Sequence, residues 1–500
     1  MKKCYKFLSL MMAIALVSVS FSGCEKKNES EYAESWIEWD EVVDDGSGNQ
    51  SQGNQSQGDK SQGDKSQSGG KANINQNVAP IADEKYFPKD WLSEREAYEK
   101  SHAPYNVAKK LKGTTVKFAT WIDHTKSEAA NAFNTFEKAT GIKVEWVNIP
   151  QSEYIPKLAS MMASGTAPDV FVENNDFFPS SLNIAQPLNK ISTLDMKDPI
   201  WDQSVIKEST FGKNVYYINT KYSIWNGGDS VYYNKKAFED NGILTPQDYI
   251  DAGQWTMDNL IKVMQEFKAL NTSYTGGAVN PSYFASSMGT SLIYKKDGKF
   301  VSGVNDAALT TAFGYYNKMK DQKLLGGTEK GFMDGTCGVY LVGTMGLKKT
   351  GFFKAMDPGN IGVSPIPSID GKNNSYLSAI YRAYGICRGA KNAEGAAYFL
   401  RYFLDPLNYD FDSAFLNDDL RDYFINNISG ITADKKHFDF TGSGATVFGY
   451  AASEKNTWTN SLRNAESAQF SVELQKISNE VNTAVNKCND IVNSVIAKDK

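Results

Sequence analysis

Two short clusters carry groups that make strong hydrogen bonds, the first of them with an aromatic ring: Trp121-Ile122-Asp123 with Lys126 just beyond, and Glu173-Asn174-Asn175-Asp176. A flat ring buries large area yet tolerates polar edges, while carboxylates and carboxamides hold hydroxyl groups around it. That chemistry is reversible capture of a polar molecule. Catalytic sets are not assembled. His102, His124 and His437 each stand alone, with no HExxH and no paired CxxC, so neither a metal site nor a metal cofactor is expected. No GxSxG or SxxK occurs in a supporting context. Gly442-Ser443-Gly444 is too short to cradle a phosphate, and no P-loop is present. Glycoside hydrolysis needs two carboxylates across the bond; with 58 Asp and Glu in the chain, their presence discriminates nothing.

The elements that must position these clusters follow from periodicity. Val116 to Trp121 reads as a strand, and Ala129, Phe133 and Phe136 fall on one face of a helix that Gly141 ends. Ile142, Val144 and Trp146 alternate as the next strand. Tyr154, Leu158, Met161 and Met162 mark a second helix, stopped by Gly165. Pro168 then precedes the apolar run Val170-Phe171-Val172. Alternating β and α elements predict an α/β fold with a parallel sheet covered by helices. Ligands gather at the carboxyl ends of such strands, which is where both clusters stand.

The chain has 500 residues, enough for two or three domains, and 41% of them are hydrophobic, enough for a large core. A net charge of −5 with a pI of about 5.5 excludes the basic face that a nucleic-acid partner requires.

The first residues change the compartment. Met1-Lys2-Lys3 precedes an apolar run from Phe7 to Val19 and then Ser20-Phe21-Ser22-Gly23-Cys24. This is a signal peptide, too short in its apolar part to span a bilayer as a permanent helix. Phe21-Ser22-Gly23-Cys24 resembles the lipobox of bacterial lipoproteins, with Phe21 where Leu is usual. The resemblance implies cleavage after 23 and lipidation (palmitate among the acyl groups) of Cys24; ordinary secretion is the alternative. Residues 24–83 lack apolar periodicity and carry a Ser-Gln-Gly-rich five-residue repeat from Ser51 to Lys65. Such composition predicts a disordered tether, with an r.m.s. span of roughly 40 Å for about 55 residues. Once Cys4 is removed and Cys24 modified, Cys337, Cys387 and Cys488 remain, either as buried thiols or as one disulfide and a thiol.

Residues 84–112 predict short helices packed on the main body. In the second half, Thr256 caps a helix with Trp255 and Leu260 as a hydrophobic staple, and Asn234 is expected to fix backbone. The ladder Leu474, Ile477, Val481, Val485, Cys488, Ile491, Val495 predicts an amphipathic helix that packs back on the body.

Several stretches resemble the extracellular solute-binding proteins of ABC importers, in the branch that includes maltose-binding proteins. They are Trp121 to Lys126 leading into Phe136–Val144, Ala163-Ser164-Gly165-Thr166-Ala167-Pro168-Asp169-Val170, and Val231-Tyr232-Tyr233-Asn234-Lys235. Gly242 and Trp255 follow, then Gly335 to Gly346, Ile361 to Pro367, and Ala390 to Ala397. The resemblance runs from about 113 to 500. It implies a two-lobed fold with crossing hinge strands, the first lobe holding 113–228 and 384–432 and the second 232–378 and 433–500. It further implies a monomeric, non-enzymatic receptor on the outer face of the cytoplasmic membrane, delivering an oligosaccharide to separate permease subunits.

By resemblance, Asp123 and Lys126 match ligand-contacting positions, although Asp123 replaces an asparagine and Thr125 an acid. Asp123 could instead cap the helix. Asp176 matches a ligand-binding aspartate beside Asn174 and Asn175, in a segment that also suits a turn. Trp225 precedes the hinge strand, and Gly227 takes the place of a glutamate. Tyr283 looks like a stacking tyrosine and Trp458 falls near a stacking tryptophan, though core packing suits either. Met345 stands where maltose-binding proteins carry a stacking Trp, which argues against maltodextrin. Tyr340, or Tyr381 with Arg382, could compensate; the Arg382 fork suits sugar hydroxyls, a ligand carboxylate or a structural salt bridge. With no basic cluster in the sequence, the expected ligand is neutral, with peptides or uronates as the alternative and a cell-surface glycan-binding or glycoside-hydrolysing protein behind them.

Overall fold

The computed structural model describes residues 82–499, apart from 125–129, 175–176, 224–226, 372–374, 451–456 and the side chain of Asn134. The lipobox, Cys24 and the repeat lie outside the described residues, as do Lys126, Asp176 and Trp225. The described residues belong to one compact unit, Ser56–Lys500.

The described strands are, in chain order, β1 (Thr115–Thr120), β2 (Lys143–Asn148), β3 (Val170–Asn174), β4 (Thr210–Phe211), β5 (Asn214–Val215), β6 (Ser230–Asn234), β7 (Thr275–Ala278), β8 (Ile293–Lys296), β9 (Lys299–Ser302), β10 (Cys337–Val342), β11 (Ile361–Pro365), β12 (Leu377–Ala379), β13 (Arg382–Ile386) and β14 (Lys436–Phe438). The expected alternation builds the first sheet, ordered β13-β3-β1-β2. Strand β1 pairs in parallel with β2 and β3, while β13 enters antiparallel with Arg382 opposite Asn174. Helix Ala130–Thr140 ends at Gly141, whose φ of +74° suits glycine. It packs with helix Ala393–Phe403 over β1, where Phe118, Phe133, Phe399 and Phe403 interlock.

The second sheet is ordered β11-β6-β10-β7. Strand β6 is antiparallel to both neighbours, and β7 is parallel to β10. Helix Met257–Leu270 covers it, capped by Thr256, whose hydroxyl accepts from the Asn259 N–H. Trp255 and Leu260 are both buried, as the staple requires. The Asn234 side chain accepts from the Ala237 N–H, so it caps the next helix.

Among the described residues two segments cross between the sheets. Residues 227–229 lead directly into β6, and β12 leads through Ile380 and Tyr381 into β13. They bridge antiparallel at Gly228 and Ala379, and β14 pairs in parallel beside β12. A Cβ on Gly228 would meet Leu377 at 2.4 Å, so glycine permits this close approach.

The N-terminal extension forms helix Lys89–His102 between two short 3-10 turns, Glu84–Tyr86 and Lys109–Leu111. Buried Trp91 anchors it through a hydrogen bond to the Pro199 carbonyl at 2.9 Å. The C-terminal ladder forms helix Phe470–Lys498, with Val492 buried while Ile491 is only half-buried. It packs on helix Thr441–Phe448 and β9, and it reaches Ser180–Asn183. At its end Asp499 makes a bidentate pair with Arg388 at 2.7 and 2.6 Å and accepts from the Tyr216 hydroxyl. Cys337, Cys387 and Cys488 are free, buried thiols.

Candidate functional site

Both sheets turn the same kind of edge toward the crossing segments. In the first, β1 and β3 end at Thr120 and Asn174, and the antiparallel β13 begins beside them at Arg382. Tyr154 fastens this edge: its hydroxyl donates to the Ala119 carbonyl at 2.6 Å and accepts from the Val172 N–H at 2.9 Å, bridging β1 to β3. In the second sheet β10 ends at Val342, opposite Ser230, the first residue after a crossing. Strand β7, parallel to β10, ends at Ala278 and leads into helix Pro281–Ser287, which carries Tyr283 and packs on β12.

On the first wall Trp121 is half-buried, standing edge-on to Tyr154 (centroids 4.8 Å apart) and to Phe177 (5.8 Å). Asp123 follows, half-buried. Asn174 is buried and lies across the β13–β3 ladder from half-buried Arg382. Behind this edge His124 is buried, stacked on Phe118 at 5.6 Å and edge-on to Phe403 at 5.2 Å. Burial holds its imidazole down to about 3, and the positive charges of Arg382 and Lys348 depress it further while Asp123 opposes them. Lys348 belongs to the segment after β10, which bridges to Phe415, and only 7% of it is exposed. Cations carried by the first sheet and by the segment leaving the second therefore act on one point.

On the second wall Tyr283 and Tyr340 are half-buried. Tyr340 packs on Phe332 and Phe353, each at 5.8 Å. Burial raises the Tyr283 hydroxyl well above its ordinary value, with the charges of Asp229 and Tyr340 adding to the rise. On the crossing segment before β6, Asp229, 5% exposed, accepts from Ser378 Oγ at 2.5 Å. Burial pushes its carboxyl up to about 7; the Ser378 hydrogen bond works against that and the Asp439 charge adds to it.

Two expected contacts point elsewhere. Tyr381 is 1% exposed: its hydroxyl hydrogen-bonds Ser209 at 2.7 Å and its ring sits among Phe178, Phe438 and Phe440. Neighbouring residues of an extended segment face opposite sides, so Arg382 reaches the edge near His124 and Tyr381 does not. Trp458, also 1% exposed, donates its indole N–H to Glu480 Oε2 at 2.8 Å and packs on Phe448 and Tyr450. It secures helix Thr457–Asn464 against the C-terminal helix. Asp169 of the Pro-Asp motif is likewise structural, accepting from the Lys117 and Asn392 N–H groups.

Lys348 and Asp229 went unnoticed in the sequence. Asp229 carried one signal, an acid between two glycines and an apolar strand; Lys348 carried none. Among the described residues no group of three or more His, Cys, Asp or Glu is placed to hold a metal ion, and no helix is long and apolar enough to cross a membrane.

The model of the bacterial extracellular solute-binding protein family matches residues 119–408, more than half of the chain. The chain belongs to the bacterial extracellular solute-binding proteins. Solved structures share the two-lobed fold. A galacto-N-biose/lacto-N-biose I-binding protein of Bifidobacterium longum, in complex with lacto-N-biose, is 13% identical with a TM-score of 0.57, over 77% of this chain and 98% of that one. A Staphylococcus aureus extracellular solute-binding protein in complex with maltose is 14% identical with a TM-score of 0.55, over 74% and 98%. A maltose-bound protein of T. maritima is 14% identical with a TM-score of 0.53, over 74% and 99%. No curated protein sequence matches the chain. Like these solute-binding proteins, this one is a mixed α/β molecule with two sheets joined by crossing strands.

Proposed function

We propose that this solute-binding protein captures a carbohydrate, an oligosaccharide, between its two lobes and delivers it to the permease subunits of an ABC importer. What supports this reading is that each sheet carries aromatic and polar side chains near its junction with the crossing segments: Trp121, Asp123, Asn174 and Arg382 on the first, Tyr283 and Tyr340 on the second. Half-buried rings beside carboxylate, carboxamide and guanidinium groups suit the apolar faces and hydroxyl edges of a sugar. The sugars bound by the similar solved proteins support the same ligand class. Lys126, Asp176 and Trp225 are proposed to complete the site. Met345 in place of a stacking Trp favours a sugar other than maltodextrin.

The first lobe is assigned 113–228 and 384–432, and the second 232–378 and 433–500. Closure about the crossing segments would present both lobes to the permease together. A signal peptide ending before Cys24, lipid attachment there and the 24–83 tether would hold a monomeric receptor, without catalytic activity, at the outer face of the cytoplasmic membrane. Calorimetric titration against a panel of α- and β-linked oligosaccharides tests this. Micromolar binding that is lost in Trp121→Ala, with the melting transition retained, supports it; absence of binding to every saccharide refutes the carbohydrate assignment.

A further inference from the structure

Helix Phe470–Lys498 has 29 residues and is about 43 Å long. Its two ends are fastened to different halves of the molecule. At its start Phe470 stacks on Phe313 at 5.2 Å, and the Ser467 hydroxyl just before it donates to the Asp321 carboxylate at 2.7 Å. Lys320 donates to the carbonyls of Arg463 and Ala465 beside them. Phe313, Lys320 and Asp321 lie on helix Ala307–Asp321, which belongs with the second sheet. Lys318 of that helix pairs at 2.8 Å with Asp258, on the helix that covers the sheet, and Leu325 beyond it bridges to Gly277 of β7.

At the other end the partners belong to the first sheet. Arg388, two residues past β13, holds the Asp499 carboxylate through two nitrogens at 2.7 and 2.6 Å. Lys190 donates to the Asp499 carbonyl at 2.8 Å, and the Arg388 N–H is itself tied to the Ile184 carbonyl. The Asp499 side chain is only 7% exposed, so water competes little for this bidentate pair. Midway along the helix, Asn489 makes two hydrogen bonds to the backbone of Phe300 in β9, at 3.0 and 2.9 Å. The β8–β9 hairpin in turn carries Lys295, whose ammonium donates to the carbonyls of Lys207, Glu208 and Thr210 at the end of helix Gln203–Glu208. That stretch runs on to Ile218, which bridges to Tyr384 of β13.

The crossing segments are short extended stretches, and on their own they would let the two sheets turn about them. A helix does not stretch, because every turn is closed by its own backbone hydrogen bonds. A rod pinned at each end to a different body leaves the two bodies only the motions that its end contacts permit. We propose that helix Phe470–Lys498 is a strut that restricts the movement of the two sheets about the crossing segments, and that the Asp499–Arg388 pair fastens it. This goes beyond the reading of the solute and holds whatever the protein binds.

The test uses the full chain in detergent with one exposed position on each half changed and spin-labelled, Lys143→Cys on β2 and Glu239→Cys on the helix after β6. The chain without these two changes, labelled in parallel, gives the background from its own thiols. Double electron–electron resonance reads the distribution of distances between the labels in the absence of ligand. Arg388→Gln, judged folded by its melting transition, should broaden that distribution, and Asp499→Asn should broaden it in the same way. Arg95→Gln is the control: it cuts a comparable fork, on Asp405 at 3.1 and 2.6 Å, that lies wholly within the first half, and it should leave the distribution as in the parent. A distribution unchanged in both Arg388→Gln and Asp499→Asn overturns the strut. Equal broadening in Arg95→Gln overturns it too, since general loosening would then account for the effect.

Discussion

Asp229 and Ser378 are joined twice: the Asp229 N–H donates to the Ser378 carbonyl at 2.9 Å, and Ser378 Oγ donates to the Asp229 carboxylate at 2.5 Å. The bond pair fastens two of the crossing segments at the point about which the lobes would move. It also buries a carboxyl there, beside Asp439, which burial likewise raises.

A pH dependence follows. The Asp229 carboxyl sits at about 7 in the folded protein, against an ordinary 3.8. Below 3.8 both states hold the proton. Between 3.8 and 7 the unfolded chain ionises while the folded one does not, so this group's contribution falls by about 1.4 kcal/mol per pH unit. Asp229→Asn keeps an acceptor for Ser378 and removes the charge. In denaturant unfolding it should be more stable than the parent at pH 8, by roughly 4 kcal/mol, with the gain gone by pH 4. Equal gains at both pH values would contradict the assignment.

Buried and half-buried aromatics should separate cleanly. Tyr381→Ala and Trp458→Ala remove core side chains and should each cost about 3–5 kcal/mol. Tyr381→Phe loses only the Ser209 hydrogen bond, about 1 kcal/mol, and should bind ligand as the parent does. Trp121→Ala should lose binding at a smaller cost in stability. Urea denaturation alongside calorimetry distinguishes these outcomes; loss of binding in Tyr381→Phe would bring Tyr381 back to the site.

The N-terminal extension is held by ions. Burial alone would raise Asp405, but Arg401 and Arg95 outweigh it and hold its carboxyl below 3.8. A lowered acid contributes stability that is present above its unfolded value and lost as pH falls through the folded one. Asp405→Asn should therefore cost about 3–5 kcal/mol at pH 7, since it leaves Arg401 and Arg95 short of a charge partner. The gap to the parent should narrow steadily below pH 3.8 in acid-unfolding curves.

Local patterns were legible and nonlocal pairings were not. Strands β1 to β3, the helices between them and the Trp255 staple were readable because a period of two or of 3.6 is written over a few residues. The crossing segments are three to four residues long, and their pairing of 228 with 379 joins positions far apart in the chain. Tyr381 and Arg382 look equally suited to a ligand until folding buries Tyr381 against Ser209 and leaves Arg382 half-buried at the start of β13. Trp458 is chemically indistinguishable from a stacking platform until Glu480 and helix Phe470–Lys498 cover it. Lys348 gave no signal because its neighbours, His124 and Phe415, arrive only through folding.

Closure on a sugar is the central claim, and small-angle X-ray scattering measures it directly. The radius of gyration would be recorded without ligand and with the saturating saccharide that binds most tightly in calorimetry. A receptor that closes about residues 227–229 and 377–380 becomes more compact when loaded, and Trp121→Ala stays at the unliganded value under the same conditions. A radius unchanged by a saccharide that demonstrably binds would contradict capture between the lobes.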